Sequence, residues 1–155
     1  MYYLVIALFM LVLPAGCVAA EYVWLHTSAD LVALIGKWFT FWGVGMRLGI
    51  AGLRQAFNPA FTAKDIFEIE EPAAQEIVRE LGFANLALGL LGLLSLIPGW
   101  TPPAAIAGAV FFALAGWKHA TAKNRIATRN VAMLSDIFIA LVLGVYLAMH
   151  FTGRA

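Results

Sequence analysis

Residues 43–59, GVGMRLGIAGLRQAFNP, place two arginines and a ladder of glycines inside an otherwise apolar segment. Read as a helix, the stretch puts Gly45, Gly49, Gly52 and Ala56 on one side, because residues three or four apart stack along a face. Arg47 and Arg54, seven apart, point roughly the opposite way. A backbone open to close approach on one side and cationic on the other suits a helix surrounded by protein rather than by lipid.

Composition sets the solvent. Of 155 residues, 63% are hydrophobic and 12% are charged, against about one quarter charged in soluble domains. The expectation is an all-α, polytopic membrane protein in which residues 1–155 form a single membrane domain. A net charge of +1, with basic residues spread over connections, leaves no footprint for nucleic acid. The single cysteine, Cys17, excludes an intramolecular disulfide and a Cys-rich metal or iron–sulfur site.

Five spans are expected. Residues 1–20 are long enough to cross roughly 30 Å of hydrocarbon. Leu13-Pro14-Ala15-Gly16-Cys17 looks like a bacterial lipoprotein cleavage site, but Pro14 sits where that motif wants Leu and no basic residue precedes the run, so a retained N-terminal helix is expected. After a polar connection carrying Glu21, Tyr22, Trp24 and His26, helix two runs over about residues 31–57. Its start is dense in aromatics, Trp38, Phe39, Phe41 and Trp42 beside Lys37, which reads as a headgroup boundary with a snorkelling lysine. Asn58-Pro59 ends it. Thr62 is placed to cap a short turn whose Phe61, Ile66 and Phe67 dip into the interface. Glu68, Glu70 and Glu71 lack the ligand pattern of a calcium loop and read as solvated.

Pro72 suits the first position of helix three, which continues to about residue 97. Gly82, Asn85, Gly89 and Gly92 share one of its faces, a small-residue groove around one amide that serves as interhelical glue. Helix four covers about residues 102–120 and helix five about residues 128–151. In the last, Ala132, Asp136, Ala140 and Gly144 recur every four residues and turn Asp136 towards protein. Lys118, Lys123, Arg125 and Arg129 put the connection between helices four and five in the cytoplasm, hence an N-terminus inside and a C-terminus outside the cell inner membrane.

Depth then follows from the rise of roughly 1.5 Å per residue. Arg47, Asn85 and Asp136 fall in the inner half of the bilayer, and one cluster of Arg47, Glu80, Asn85, His119 and Asp136 is expected, with Arg54, Arg79 and Lys118 nearer the rim. Such a cluster either locks the helices together or lines an inner-leaflet pocket for a lipid headgroup, a quinone or a small metabolite. His119 and Asp136 are the pair suited to carry a proton. No nucleophile elbow, phosphate loop, metal-ligand histidine pair or dinucleotide fingerprint is present, so neither catalysis nor a bound metal is expected.

The motifs Arg47-Leu48-Gly49, Ala51-Gly52-Leu53-Arg54 and Asn58-Pro59, followed by Arg79-Glu80-Leu81-Gly82 and Leu88-Gly89-Leu90-Leu91-Gly92, resemble the first two helices of the DoxX-like membrane proteins. In that likeness Arg54 stands where the family has Lys. The resemblance implies a four-helix DoxX-like core over residues 31–151 with an added N-terminal helix, and makes Arg47, Arg54 and Glu80 site residues. DoxX-like relatives include subunits linked to quinone reduction, maturation factors and chaperone-type membrane proteins. The preferred expectation is therefore a small accessory or ligand-binding membrane protein with lipid, a membrane-protein partner or a second copy as partner. The alternatives are a membrane subunit of a quinone-linked oxidoreductase and a proton-coupled transporter.

Overall fold

The computed structural model describes residues 2–24, 30–66, 69–121 and 127–153, without the side chains of residues 2, 3, 65, 66 and 127–129. Among the described residues the chain is helical, with no strand. Helix α1 joins Tyr2–Ala7, Leu8–Val12, Leu13–Ala19 and Ala20–Trp24 without a break, the second and fourth being wider π-type turns. Helix α2 joins Leu31–Phe39, a π-type stretch Thr40–Met46, and Arg47–Phe57. Helix α3 is short, Pro59–Phe61 continued by Thr62–Ile66. Helix α4 is Pro72–Leu93, tightening to a 3₁₀ turn at Leu94–Leu96. Helices α5 and α6 are Thr101–Thr121 and Ala127–Phe151.

The ends of these helices have local causes. Asp30 caps α2, its Oδ2 accepting from the Val32 and Ala33 nitrogens at 2.9 and 3.3 Å, which satisfies two of the donors a helix start leaves unpaired. Pro59 and Pro72 stand at the first positions of α3 and α4, where a missing N–H costs nothing. Between α4 and α5 the chain reverses at Gly99, whose φ of 84° is open to glycine and strained for other residues.

Among the described residues, three helices are long and apolar enough to cross a membrane: Leu4–Trp24, Pro72–Leu96 and Asn130–Phe151. Large apolar side chains also point outward. Exposed stripes run along α1 (Leu4, Leu8, Leu11), α5 (Ile106, Val110, Leu114) and α6 (Leu134, Leu141, Val145), an arrangement that suits hydrocarbon and not water.

Helix α2 is the exception. No residue from 32 to 49 is exposed, because α1, α4, α5 and α6 all pack on it. Its glycine side meets the glycines of α4 with the helices antiparallel. A Cβ added to Gly89 would lie 2.6 Å from the Gly49 nitrogen, one on Gly52 2.7 Å from the Leu86 nitrogen, and one on Gly92 2.6 Å from the Gly45 Cα. Backbone therefore rests on backbone, the close approach that small residues permit in membranes. On the other sides, Gly43 accommodates Ile139 of α6, and Gly108 of α5 accommodates Val44. Val44, Leu48, Phe112, Ile139, Leu143 and Tyr146 form the buried centre.

Several expectations are corrected. Helix α1 does not stop at residue 20; it runs to Trp24 because Glu21 finds partners on α2. The aromatics at the start of α2 also serve in packing: Phe39 meets Phe138, and Trp42 meets Phe9, edge to face. Lys37 is tied to Glu21. Thr62 lies within α3 and is buried instead of capping it. Gly144 continues the Asp136 stripe but is exposed, with nothing within 4 Å of an added Cβ. His26, Phe67, Glu68, Lys123 and Arg125 lie outside the described residues.

The backbone contact predicts an asymmetric response to added methyl groups. Gly89→Ala and Gly92→Ala should each lower stability by roughly 1–3 kcal/mol through overpacking, whereas Gly49→Ala, whose Cβ meets nothing within 4 Å, should be near neutral. Reversible unfolding in detergent micelles measures the difference.

Candidate functional site

Opposite its glycine side, α2 projects Arg47 into the space between α1, α5 and α6. Arg47 Nη2 donates to Asp136 Oδ1 at 2.7 Å and to Ser135 Oγ at 3.2 Å, both on α6. Its Nη1 donates to Met10 Sδ of α1 at 3.5 Å. The guanidinium carbon sits 4.9 Å from the centroid of the Phe112 ring on α5, within cation–π range. Three helices thus converge on one side chain.

Neighbours fix the geometry of this centre. Ser135 Oγ donates to the Ala132 carbonyl at 2.8 Å, leaving its lone pairs for Arg47. Gly116 of α5 lets α6 come close, a Cβ there lying 2.8 Å from Ile137, and this brings His119 Nε2 to 3.8 Å from Asp136 Oδ2. The side chain of Asp136 is 5% exposed and that of Arg47 is 21%, while His119 is 33% exposed. The centre is thus closed at the carboxylate and open at its two basic edges.

The remaining candidates lie elsewhere. Asn85 Nδ2 donates to Gln55 Oε1 at 2.7 Å across the glycine contact, and its buried Oδ1 has no protein partner. Glu80 is exposed and forms no ion pair among the described side chains. Arg54 is exposed, its guanidinium carbon 3.6 Å from the Phe61 ring centroid. Arg79 pairs with Glu76 along α4 at 2.8 Å. The expected five-residue cluster therefore divides. Arg47, His119 and Asp136 come together, while Asn85 and Glu80 do not join them, because α4 packs on the glycine side of α2, away from Arg47.

A second polar centre escaped the sequence reading. Lys37 Nζ donates to both Glu21 oxygens, at 2.6 and 2.5 Å, and Trp38 Nε1 donates to Glu21 Oε2 at 2.8 Å. One turn further, Trp42 Nε1 donates to Cys17 Sγ at 3.4 Å. These contacts fasten α1 to α2. Their sequence signal was the lone acid near the end of the first apolar run and the lone lysine in the next.

Two apolar grooves open on the surface. One, of about 390 Å³, lies between α1 and α2, lined by residues such as Val18, Tyr22, Ile35 and Phe39. The other, of about 250 Å³, lies between α5 and α6 beside Trp117 and Ala140. Neither includes Arg47, His119 or Asp136. Among the described residues no group of three or more His, Cys, Asp or Glu side chains is arranged to hold a metal ion. No family model, curated protein or solved structure matches the chain.

The pairing has a thermodynamic signature. Arg47→Ala strands the Asp136 carboxylate and should cost about 3–5 kcal/mol. Arg47→Ala/Asp136→Ala should be less damaging than the sum of the single changes, the coupling appearing in a double-mutant cycle in micelles. Glu80→Ala, at an exposed and unpaired position, should stay within about 0.5 kcal/mol of the parent.

Proposed function

We propose that the chain is a five-span membrane protein, similar to the DoxX-like proteins, that works without catalysis as an accessory protein holding a small polar group at Arg47, Asp136 and His119 in the cytoplasmic half of a bacterial inner membrane. The five spans are α1, α2, α4, α5 and α6, with the N-terminus in the cytoplasm and the C-terminus outside. Two observations support adding α2 and α5 to the three apolar helices. Helix α2 is wrapped by its neighbours over residues 32–49, so it meets little lipid and tolerates Lys37 and Arg47. Helix α5 carries exposed tryptophans near its ends, Trp100 and Trp117, separated by roughly 25 Å of helix, the spacing of an aromatic belt.

The binding reading rests on one observation: the ion pair leaves hydrogen-bonding capacity unused at an accessible edge. A guanidinium has five N–H donors, and here Nη2 serves both oxygen acceptors while Nη1 faces only a thioether. Among the described side chains Asp136 Oδ2 has only His119, at 3.8 Å, for company, and the imidazole is itself 33% exposed. A ligand group that accepts from Arg47 and exchanges a hydrogen bond with His119 would use both open edges. A lipid headgroup or a reduced quinone has that chemistry, entering from the side of the bundle. With Glu80 and Asn85 elsewhere, the site is an edge built on α2, α5 and α6.

Two measurements test these readings. With Cys17→Ser as background, Thr121→Cys should react with a membrane-impermeant maleimide only from the cytoplasmic face, and Thr152→Cys only from outside. Labelling from the reversed faces would overturn the orientation. Purified protein should carry a lipid or quinone detectable by mass spectrometry, and added quinone or lipid should raise its Tm. Arg47→Lys, which keeps the charge but loses the fork, should abolish that rise. A protein that binds neither, and whose Tm neither one moves, would leave the cluster as a lock between helices.

A further inference from the structure

We propose that Arg54 and Phe61 form a second site, for the phosphate of an anionic phospholipid at the cytoplasmic surface of the membrane. This rests on reading α2 as a span whose Asn58 end lies among the cytoplasmic headgroups. It does not depend on a ligand at Arg47.

Helix α2 is enclosed for most of its length and emerges only in its last turns. There Ile50 and Leu53 are 49% exposed and Phe57 is 84% exposed, a stripe spaced three and four residues apart that faces lipid. Arg54 lies beside this stripe, at the point where the apolar surface ends. Its guanidinium makes no hydrogen bond and no ion pair with any described side chain. It is not loose, however, because its carbon lies 3.6 Å from the centre of the Phe61 ring.

That stacking has a specific consequence. A ring covers one face of the guanidinium and leaves its in-plane N–H edge free, and this edge is the fork that matches two phosphate oxygens. The ring itself is held in place by the chain around it. Pro59, Thr62 and Ala63 are buried, and Ala63 packs with Ala74 and Val78 at the start of α4. Two neighbouring cations are occupied: Lys64 faces Glu70 at 3.5 Å and Arg79 faces Glu76 at 2.8 Å. Of these three cations, only Arg54 has no carboxylate partner among the described side chains. A phosphodiester at headgroup depth supplies the missing charge, while its acyl chains lie along Leu53 and Ile50.

Native mass spectrometry of the full chain from a nonionic detergent, with phosphatidylglycerol or phosphatidylcholine added, tests the site. The parent should retain phosphatidylglycerol in preference to phosphatidylcholine. Arg54→Gln should lower phosphatidylglycerol retention about tenfold, the scale of one charge-assisted hydrogen bond, without changing phosphatidylcholine retention. Phe61→Leu and Arg54→Lys should each give partial losses, and these variants keep the test decisive if Arg54→Gln fails to fold. Undiminished preference in all three variants would overturn the proposal. Displacement of the lipid by excess inorganic phosphate would overturn it too, by making the site one for free phosphate. The preference should survive in an Arg47→Lys background, so that loss of ligand at Arg47 and loss of lipid at Arg54 are read separately.

Discussion

A guanidinium packed among apolar helices needs a counter-charge, and the arrangement of this bundle depends on meeting that need at Arg47. The side chain leaves α2 on the side away from its glycines, so the carboxylate must come from a helix on that side. Helix α6 supplies it with Asp136, α5 adds the ring of Phe112, and α1 closes the end with Met10. Helix α4 is excluded from this side and takes the opposite one, where glycine against glycine admits it. The two sides of one helix thus assign places to the four others.

That division also explains which parts were legible in the sequence. The helices, their approximate ends and the inward turn of Asp136 followed from apolar length, proline placement and four-residue spacing. Relative level along the bundle was legible as well, since Arg47 and Asp136 do meet. Direction around α2 was not fully used. Asn85 shares a face with Gly82, Gly89 and Gly92, and a face made of glycines seeks another like it; this places Asn85 beside Gln55 on the glycine contact instead of beside Arg47. Glu80 failed for a simpler reason, since a helix that begins at Pro72 has hardly entered the apolar region by its ninth residue. The Glu21 centre was missed because an acid after an apolar run reads equally well as the start of a loop.

The two arginines that drew attention to residues 43–59 turn out to be in opposite states. Arg47 is held by three other helices and its charge is answered within the chain. Arg54 is oriented by a ring, and its charge has no partner among the described side chains. Seven residues, two turns of helix, separate a cation that organises the interior from one that addresses the surroundings. A charge count over the sequence cannot distinguish them, because the difference lies in what the neighbouring helices bring to each depth.

The Arg47–Asp136 contact joins positions 89 residues apart, and its carboxylate lies on the final helix. During synthesis, α2 emerges long before α6 exists. Throughout that interval the guanidinium has no carboxylate from α6, and α1 offers it only a thioether. Seating of the Arg47 side chain therefore waits for α6. A truncation anywhere before Asp136 would leave that side chain without its counter-charge.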